Sequence, residues 1–148
     1  MIILPLSNTL ATALLNQVFR NTAYTRPTTI YVALYTSNPT GADTGTEVTG
    51  GGYVRQAITF SAPTNDSYNE YNNKTGQLGT VTKPTSKNSA EIVFPIATAD
   101  WGTITHIGLR DAATGGTLLS YDQINNPRTV LANDRLRLPI DAIIQTMR

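Results

Sequence analysis

The residues able to do chemistry are few and scattered. The single histidine, His106, stands in a chain that also carries serines and aspartates, the raw material of a hydrolytic triad. It lies inside an alternating run, Gly102 to Arg110, and no G-x-S-x-G elbow accompanies it, so a satisfied structural histidine is expected. Asp43, Thr44 and Glu47, with glycines around them, offer oxygens to a hard cation such as calcium. That ion takes about six to eight oxygens, and two carboxylates without EF-hand spacing fall short. A polar loop whose Gly50-Gly51-Gly52 permits a tight path into the next strand is the simpler expectation. Neither these glycines nor Gly115-Gly116 precede the Lys-Ser/Thr and helix of a phosphate loop. Asn65-Asp66-Ser67 and Asn73-Lys74-Thr75 match glycosylation sequons, which carry no meaning without a secretory signal. Trp101 could stack on a sugar ring, but between Asp100 and Gly102 at the head of a strand it is expected to plug one end of the core. Tyr68 and Tyr71, set among polar residues, are better candidates for a protein or saccharide contact. No catalytic residue, no metal and no cofactor is expected.

The elements that must position these residues are mostly strands. Residues 7–20 (SNTLATALLNQVFR) are the exception: Leu6, Leu10, Leu14 and Val18 recur every four residues, and Ala11, Leu15 and Phe19 widen the stripe. Ser7 or Asn8 can cap the first turn, and Arg20 suits the negative end of the dipole. So broad an apolar face must pack against the chain's own sheet or a neighbouring subunit. The period then changes to two. Thr28 to Thr36 alternates Ile30, Val32 and Leu34 with Tyr31, Ala33 and Tyr35, a pattern that suits a strand covered on both faces. Further strands are predicted over Tyr53 to Phe60, Ala90 to Ile96, Gly102 to Arg110, Gly116 to Gln123, Arg135 to Ile140 and Ala142 to Met147, with a hairpin signal at Asp111 to Gly116. Arg135 to Ile140 is expected to bury Leu136, Leu138 and Ile140. Residues 61–88 are rich in Asn, Ser, Thr and Lys and are expected as a long polar loop, with at most a short strand or hairpin around Leu78 to Val81. No repeat or heptad run is present.

Composition bounds the rest. A chain of 148 residues fits one domain. With no cysteine, disulfides, thiolate metal sites and a cysteine nucleophile are excluded. Eleven Lys and Arg against ten Asp and Glu leave +1, without the basic surplus of a nucleic-acid binder. The 24 Thr and 12 Asn, beside only 14% charged residues, favour strands and turns. The start lacks a signal peptide's basic region, and no apolar stretch nears the ~20 residues of a membrane span, so synthesis in a host cytoplasm and no membrane partner are expected.

Four segments in this order carry a resemblance: the opening helix with TTIYVALYTSNPT, the TGTEVTGGGYVRQAITFSAPT block, AEIVFPIATADWGTITHIGLRDAATGGTLL, and NDRLRLP. Together they resemble small bacteriophage virion proteins, usually labelled tail-fibre or minor structural proteins, over most of residues 7–140. The specific features are Gly45 to Gln56 (GT-E-V-GG-Y-RQ) and the Trp101 to His106 stretch in combination. The resemblance implies a non-enzymatic subunit built into a phage particle, on the capsid or the tail. The chain departs from the family pattern between Asn65 and Thr85, where an extra segment carries Tyr68, Tyr71, Lys74, Lys83 and Lys87. That segment is either a contact arm or a solvated loop.

The expectations are therefore a mainly β protein, an antiparallel β-sandwich or jelly-roll-like fold with one N-terminal α-helix. An N-terminal arm (residues 1–6) precedes a single domain (residues 7–148). The function expected is an accessory subunit that packs on the capsid as a cement or decoration protein, or on the tail. The alternative is a carbohydrate-binding module at a fibre tip, with Tyr68, Tyr71 and Trp101 close together and a host surface glycan as partner. Expected partners are other virion proteins, major capsid or tail, and further copies of the chain, trimers being implied by the family's setting. The expected contact residues are Met1, Ile2, Ile3 and Leu4 in the arm, docking on a partner's groove or sheet edge, and Tyr68, Tyr71 and Lys74 in the long loop.

Overall fold

A computed structural model describes residues 2–147. In chain order the elements are β1 (Ile2–Leu4), α1 (Asn8–Phe19), β2 (Ile30–Tyr35), β3 (Gln56–Ile58), β4 (Thr64–Asn72) and β5 (Gln77–Lys87). They continue with β6 (Ile92–Val93), β7 (Gly102–Arg110), β8 (Leu118–Val130), β9 (Arg137–Leu138) and β10 (Ile143–Thr146). The fold is mainly β with one helix near the N-terminus. Two four-stranded sheets, β1-β10-β5-β4 and β3-β2-β7-β8, enclose one core, and β6 and β9 form a small pair beside them.

The alternation in the sequence builds that core directly. Val32, Leu34, Ile104, Ile107, Leu109 and Val130 point from one sheet toward Ile2, Leu4 and Ile143 of the other. Phe94, Trp101 and Leu136 close the space between them. Tyr53 stacks on Phe94 at 6.2 Å and meets Trp101 edge-on at 5.5 Å, a geometry favoured by the ring quadrupoles. Trp101 is 5% exposed, as expected of a core plug. Its indole N–H donates to Gly51 O at 2.8 Å. Gly51 has φ +56, and a Cβ there would lie 2.9 Å from the Trp101 ring, so the triple glycine does serve a tight backbone path.

Both seams between the sheets are stitched. On one side Leu6 bridges Ser120, and Tyr121 N donates to Pro5 O at 3.2 Å. On the other, Phe60 bridges Asn88. Asn88 is fully buried; its amide donates to Ala90 O and Pro139 O, each at 2.8 Å, and accepts from Ile143 N at 2.8 Å. One side chain thus ties the end of β5 to the start of β10.

Three expectations are corrected. Residues 2–4 are not a free arm: β1 pairs in parallel with β10, Ile2 opposite Ile143 and Leu4 opposite Gln145, and Ile2 and Leu4 are buried. An apolar run of three is long enough for a strand once a neighbour supplies the ladder; this pairing is parallel, while the other strand pairs of the described residues are antiparallel, as expected. Met1 lies outside the described residues. Residues 61–88 are not a loop but chiefly the β4–β5 hairpin, in continuous register from Thr64↔Thr85 to Asn72↔Gln77. Period-two hydrophobicity is invisible there because both faces are polar; β-branched Thr and the Asn72 to Gly76 turn carry the strand signal instead. Ile140 is exposed rather than buried, because the strand pairing ends with Leu138 opposite Ile92.

The helix starts where expected, with Ser7 as N-cap: its Oγ accepts from Leu10 N at 3.1 Å and donates to Leu118 O at 2.6 Å. Leu10 packs against the core, yet no helix residue is buried. Leu15, Val18 and Phe19 project into solvent, Phe19 with 79% of its surface exposed.

Candidate functional site

Two features stand out for their chemistry, a charged network over the back of β2 and the projecting β4–β5 hairpin. The network begins with the second face of β2, where Ala33 and Tyr35 pack with Leu118 away from the main core. Gly108 leaves room for the Tyr35 ring, since a Cβ there would lie 2.9 Å from it. Tyr35 Oη accepts from Arg110 Nε at 2.8 Å, and Arg110 also pairs with Asp43. Arg55, itself buried, donates to Glu47 Oε1 at 2.7 Å and Oε2 at 2.6 Å, a fork that matches the carboxylate. Its remaining nitrogen donates to Ala112 O and Gly115 O, each at 2.8 Å, holding the β7–β8 turn. Tyr53 Oη donates to Glu47 Oε1 and accepts from Leu34 N, both at 3.0 Å. Burial, together with the Glu47 charge, pushes the Tyr53 phenol well above its ordinary range, and burial likewise raises Tyr35. The bond to Glu47 raises the Arg55 guanidinium still further.

Asp43 and Glu47 are matched to two arginines, so neither offers a free carboxylate to calcium. Among the described residues no cluster of three metal-ligating side chains occurs. The network is a structural clamp. Its carboxylates were visible in the sequence, but their partners lie 8 and 67 residues away along the chain.

His106 sits in β7 opposite Gln123, and its Nδ1 is 2.9 Å from Thr105 Oγ1. Burial lowers its pKa, opposed by the nearby Asp122 charge. Among the described residues no hydrogen bond joins the imidazole to a carboxylate.

The hairpin is different in kind. On β5, the residues that pair with β10 are Thr85, Ser86 and Lys87, at the foot of the strand. Among the described residues, the two strands pair only with each other from Asn65↔Pro84 to Asn72↔Gln77, an arm about 25 Å long at roughly 3.4 Å per residue. One face of the arm carries Asp66, Tyr68, Glu70, Val81 and Lys83, all half-buried. Lys87 Nζ lies 2.6 Å from Asp66 Oδ2, and Lys83 pairs with Glu70. Through that contact Lys87 holds the Asp66 carboxyl below its usual range, and Asp66 raises Lys87. Tyr68 Oη donates to Thr85 Oγ1 at 3.0 Å. The other face is open: Tyr71 (63% exposed) stands directly opposite Leu78 (74% exposed) near the tip. Lys74 is exposed in the turn, its backbone N–H donating to Asn72 Oδ1 at 2.9 Å.

The sequence-predicted contact residues therefore separate. Tyr68, Tyr71 and Lys74 share the arm; Ile2 and Leu4 are in the core, and Ile3 is half-buried between them. Trp101 is withdrawn into the interior, so it does not join Tyr68 and Tyr71 in a surface groove. The C-terminal half of α1 is exposed, and the sequence left open whether its stripe packs on the chain's own sheet or on a neighbouring subunit, because periodicity does not say what covers a face.

A comparison with curated proteins gives no match. The family described as Podophage GP4 fiber I protein gp80 matches residues 5–146, nearly the whole described chain, both seams and the arm included. The chain belongs to that phage fibre protein family.

Proposed function

We propose that the chain is a non-enzymatic structural subunit of a phage tail fibre, joined to other virion proteins by protein–protein contacts. The family description names a fibre, which favours the tail over capsid decoration among the two sites expected from the sequence. The observation that carries the proposal is a pair of projecting surfaces, the end of the arm and the C-terminal half of α1. Among the described residues no strand pairs with the arm beyond its foot, and Leu15, Val18 and Phe19 form an exposed apolar stripe on α1. Monomeric soluble proteins seldom expose contiguous apolar surface of this kind unless a partner uses it. A shaft built from repeats or a coiled coil does not fit this sequence, so the subunit is a compact accessory body on the fibre.

Electron cryo-microscopy of intact particles, with antibody raised against the isolated chain, tests this. Label and fitted density on the fibre are expected. Label confined to the capsid shell, or absent from purified particles, would exclude the fibre.

A further inference from the structure

We infer that the outer side of α1 inserts into an apolar groove of a different virion protein, whose rim carries carboxylates for Arg20 and Arg26. This rests on the proposal that the chain is a fibre subunit, and it names the kind of partner that one projecting surface takes.

The helix has two apolar sides, and the fold uses one of them. Leu10 packs against the core, and Leu14, about one turn on, is half-buried. Leu15, Val18 and Phe19 form a separate cluster at i, i+3 and i+4 spacing, turned away from Leu10 at roughly 3.6 residues per turn. They are 58%, 68% and 79% exposed. The helix is pinned in this rotation at its start: Ser7 Oγ accepts from Leu10 N and donates to Leu118 O, and Asn8 N donates to Gly41 O at 3.0 Å. Turning it to bury Phe19 would break these bonds and draw Leu10 out of the core. The outer cluster is therefore left for another molecule, and anchors at this spacing are how a helix fills a groove in a partner protein.

Charge says what borders the groove. Residues 8–29 hold two arginines, Arg20 and Arg26, and no Asp or Glu. Both arginines are exposed, and among the described residues neither forms an ion pair. Arg20 donates to Asn16 Oδ1 at 3.2 Å, which holds its guanidinium on the last turn of the helix, where Phe19 also lies. An acidic rim complements this pair. A lipid surface would call for several Lys and Arg on the polar side of the helix, whereas that side is Asn, Thr and Gln. A second copy of the chain is a poor source of the rim, since its Asp43 and Glu47 are held by arginine and its Asp66 and Glu70 by lysine.

The chain has no cysteine, so one introduced thiol reports on one position. Val18→Cys places it inside the cluster and Gln17→Cys outside it, both at exposed sites. Both are expected to react readily with iodoacetamide in the free chain. In purified particles Val18→Cys should react roughly tenfold more slowly and Gln17→Cys at nearly its free rate. Equal reactivity of Val18→Cys in the two states overturns the contact; if antibody still marks the fibre, only this contact has failed and the subunit reading stands. A benzophenone attached to the Val18→Cys thiol is expected to cross-link to another virion protein, and cross-links confined to copies of this chain overturn the choice of partner. Arg20→Glu with Arg26→Glu should lower incorporation into particles about tenfold relative to Arg20→Lys with Arg26→Lys, and equal incorporation overturns the acidic rim. Hydroxyl-radical footprinting of wild-type particles decides the point without any variant: Phe19 labelled as strongly as in the free chain overturns the contact, and protection of Phe19 supports it.

Discussion

At Glu47 both carboxylate oxygens are engaged, Oε1 by Tyr53 and Arg55, Oε2 by Arg55. Removing the charge while keeping the shape isolates what the pair does. Glu47→Gln leaves Arg55, buried at the back of β2, facing a neutral amide that matches only part of its fork. The cost expected is about 3 kcal/mol, the usual scale for breaking a buried pair from one side. The melting temperature should drop accordingly, and calcium should not shift the melting of the wild type, because the oxygens it would need are held by arginine. Sequence reading saw the two acids and glycines of this loop and could treat them only as a polar turn or a weak cation site. What gives Glu47 its role is Arg55 across the loop and Arg110 on another strand, and proximity between distant residues is not encoded in local spacing.

Among the elements, β1 and the β4–β5 arm changed most between sequence and structure, for opposite reasons. β1 is short and apolar and was expected to serve a partner; within the fold it is the edge of a sheet, with Leu4 1% exposed. Leu4→Ala should therefore destabilise the isolated chain by about 3 kcal/mol, as core leucine truncations do, and urea unfolding measures it. A loss below ~0.5 kcal/mol would mean that the strand does not contribute to the core. The arm is long and polar and read as loop because strands announce themselves mainly through alternating hydrophobicity, which its two polar faces do not show. The helix was fully legible as a helix, cap and stripe included. Its outer half is uncovered all the same, since amphipathicity records that a face wants cover and not where the cover comes from.

For the molecule as a whole, near-neutral charge leaves little long-range repulsion, so pH dependence comes from individual groups. His106 has a lowered pKa in the fold because burial disfavours the imidazolium, with Asp122 partly opposing. The unfolded chain thus binds this proton more readily. The contribution of His106 is complete above the ordinary histidine range and is lost as pH falls below that range toward the lower folded pKa. The melting temperature should fall between pH 7.5 and pH 5.5, and His106→Gln should flatten that slope. Asp66 is shifted down by Lys87, so its contribution persists above the carboxylate range and fades only below about pH 5, which separates the two windows.

The class of the protein was legible from the residues alone: a cysteine-free, β-rich chain with one capped helix and family features spread across its length. Those properties are local, set by period, turn residues and composition, and they survive without knowledge of any distant contact. The folded arrangement was needed to see that the first strand closes the sandwich, that two arginines claim the acids of the glycine loop, and that a polar stretch becomes a projecting ribbon with acid on one strand and base on the other. Each of these depends on which backbone edges and charges meet across many residues, and that is settled by packing the whole chain around one core.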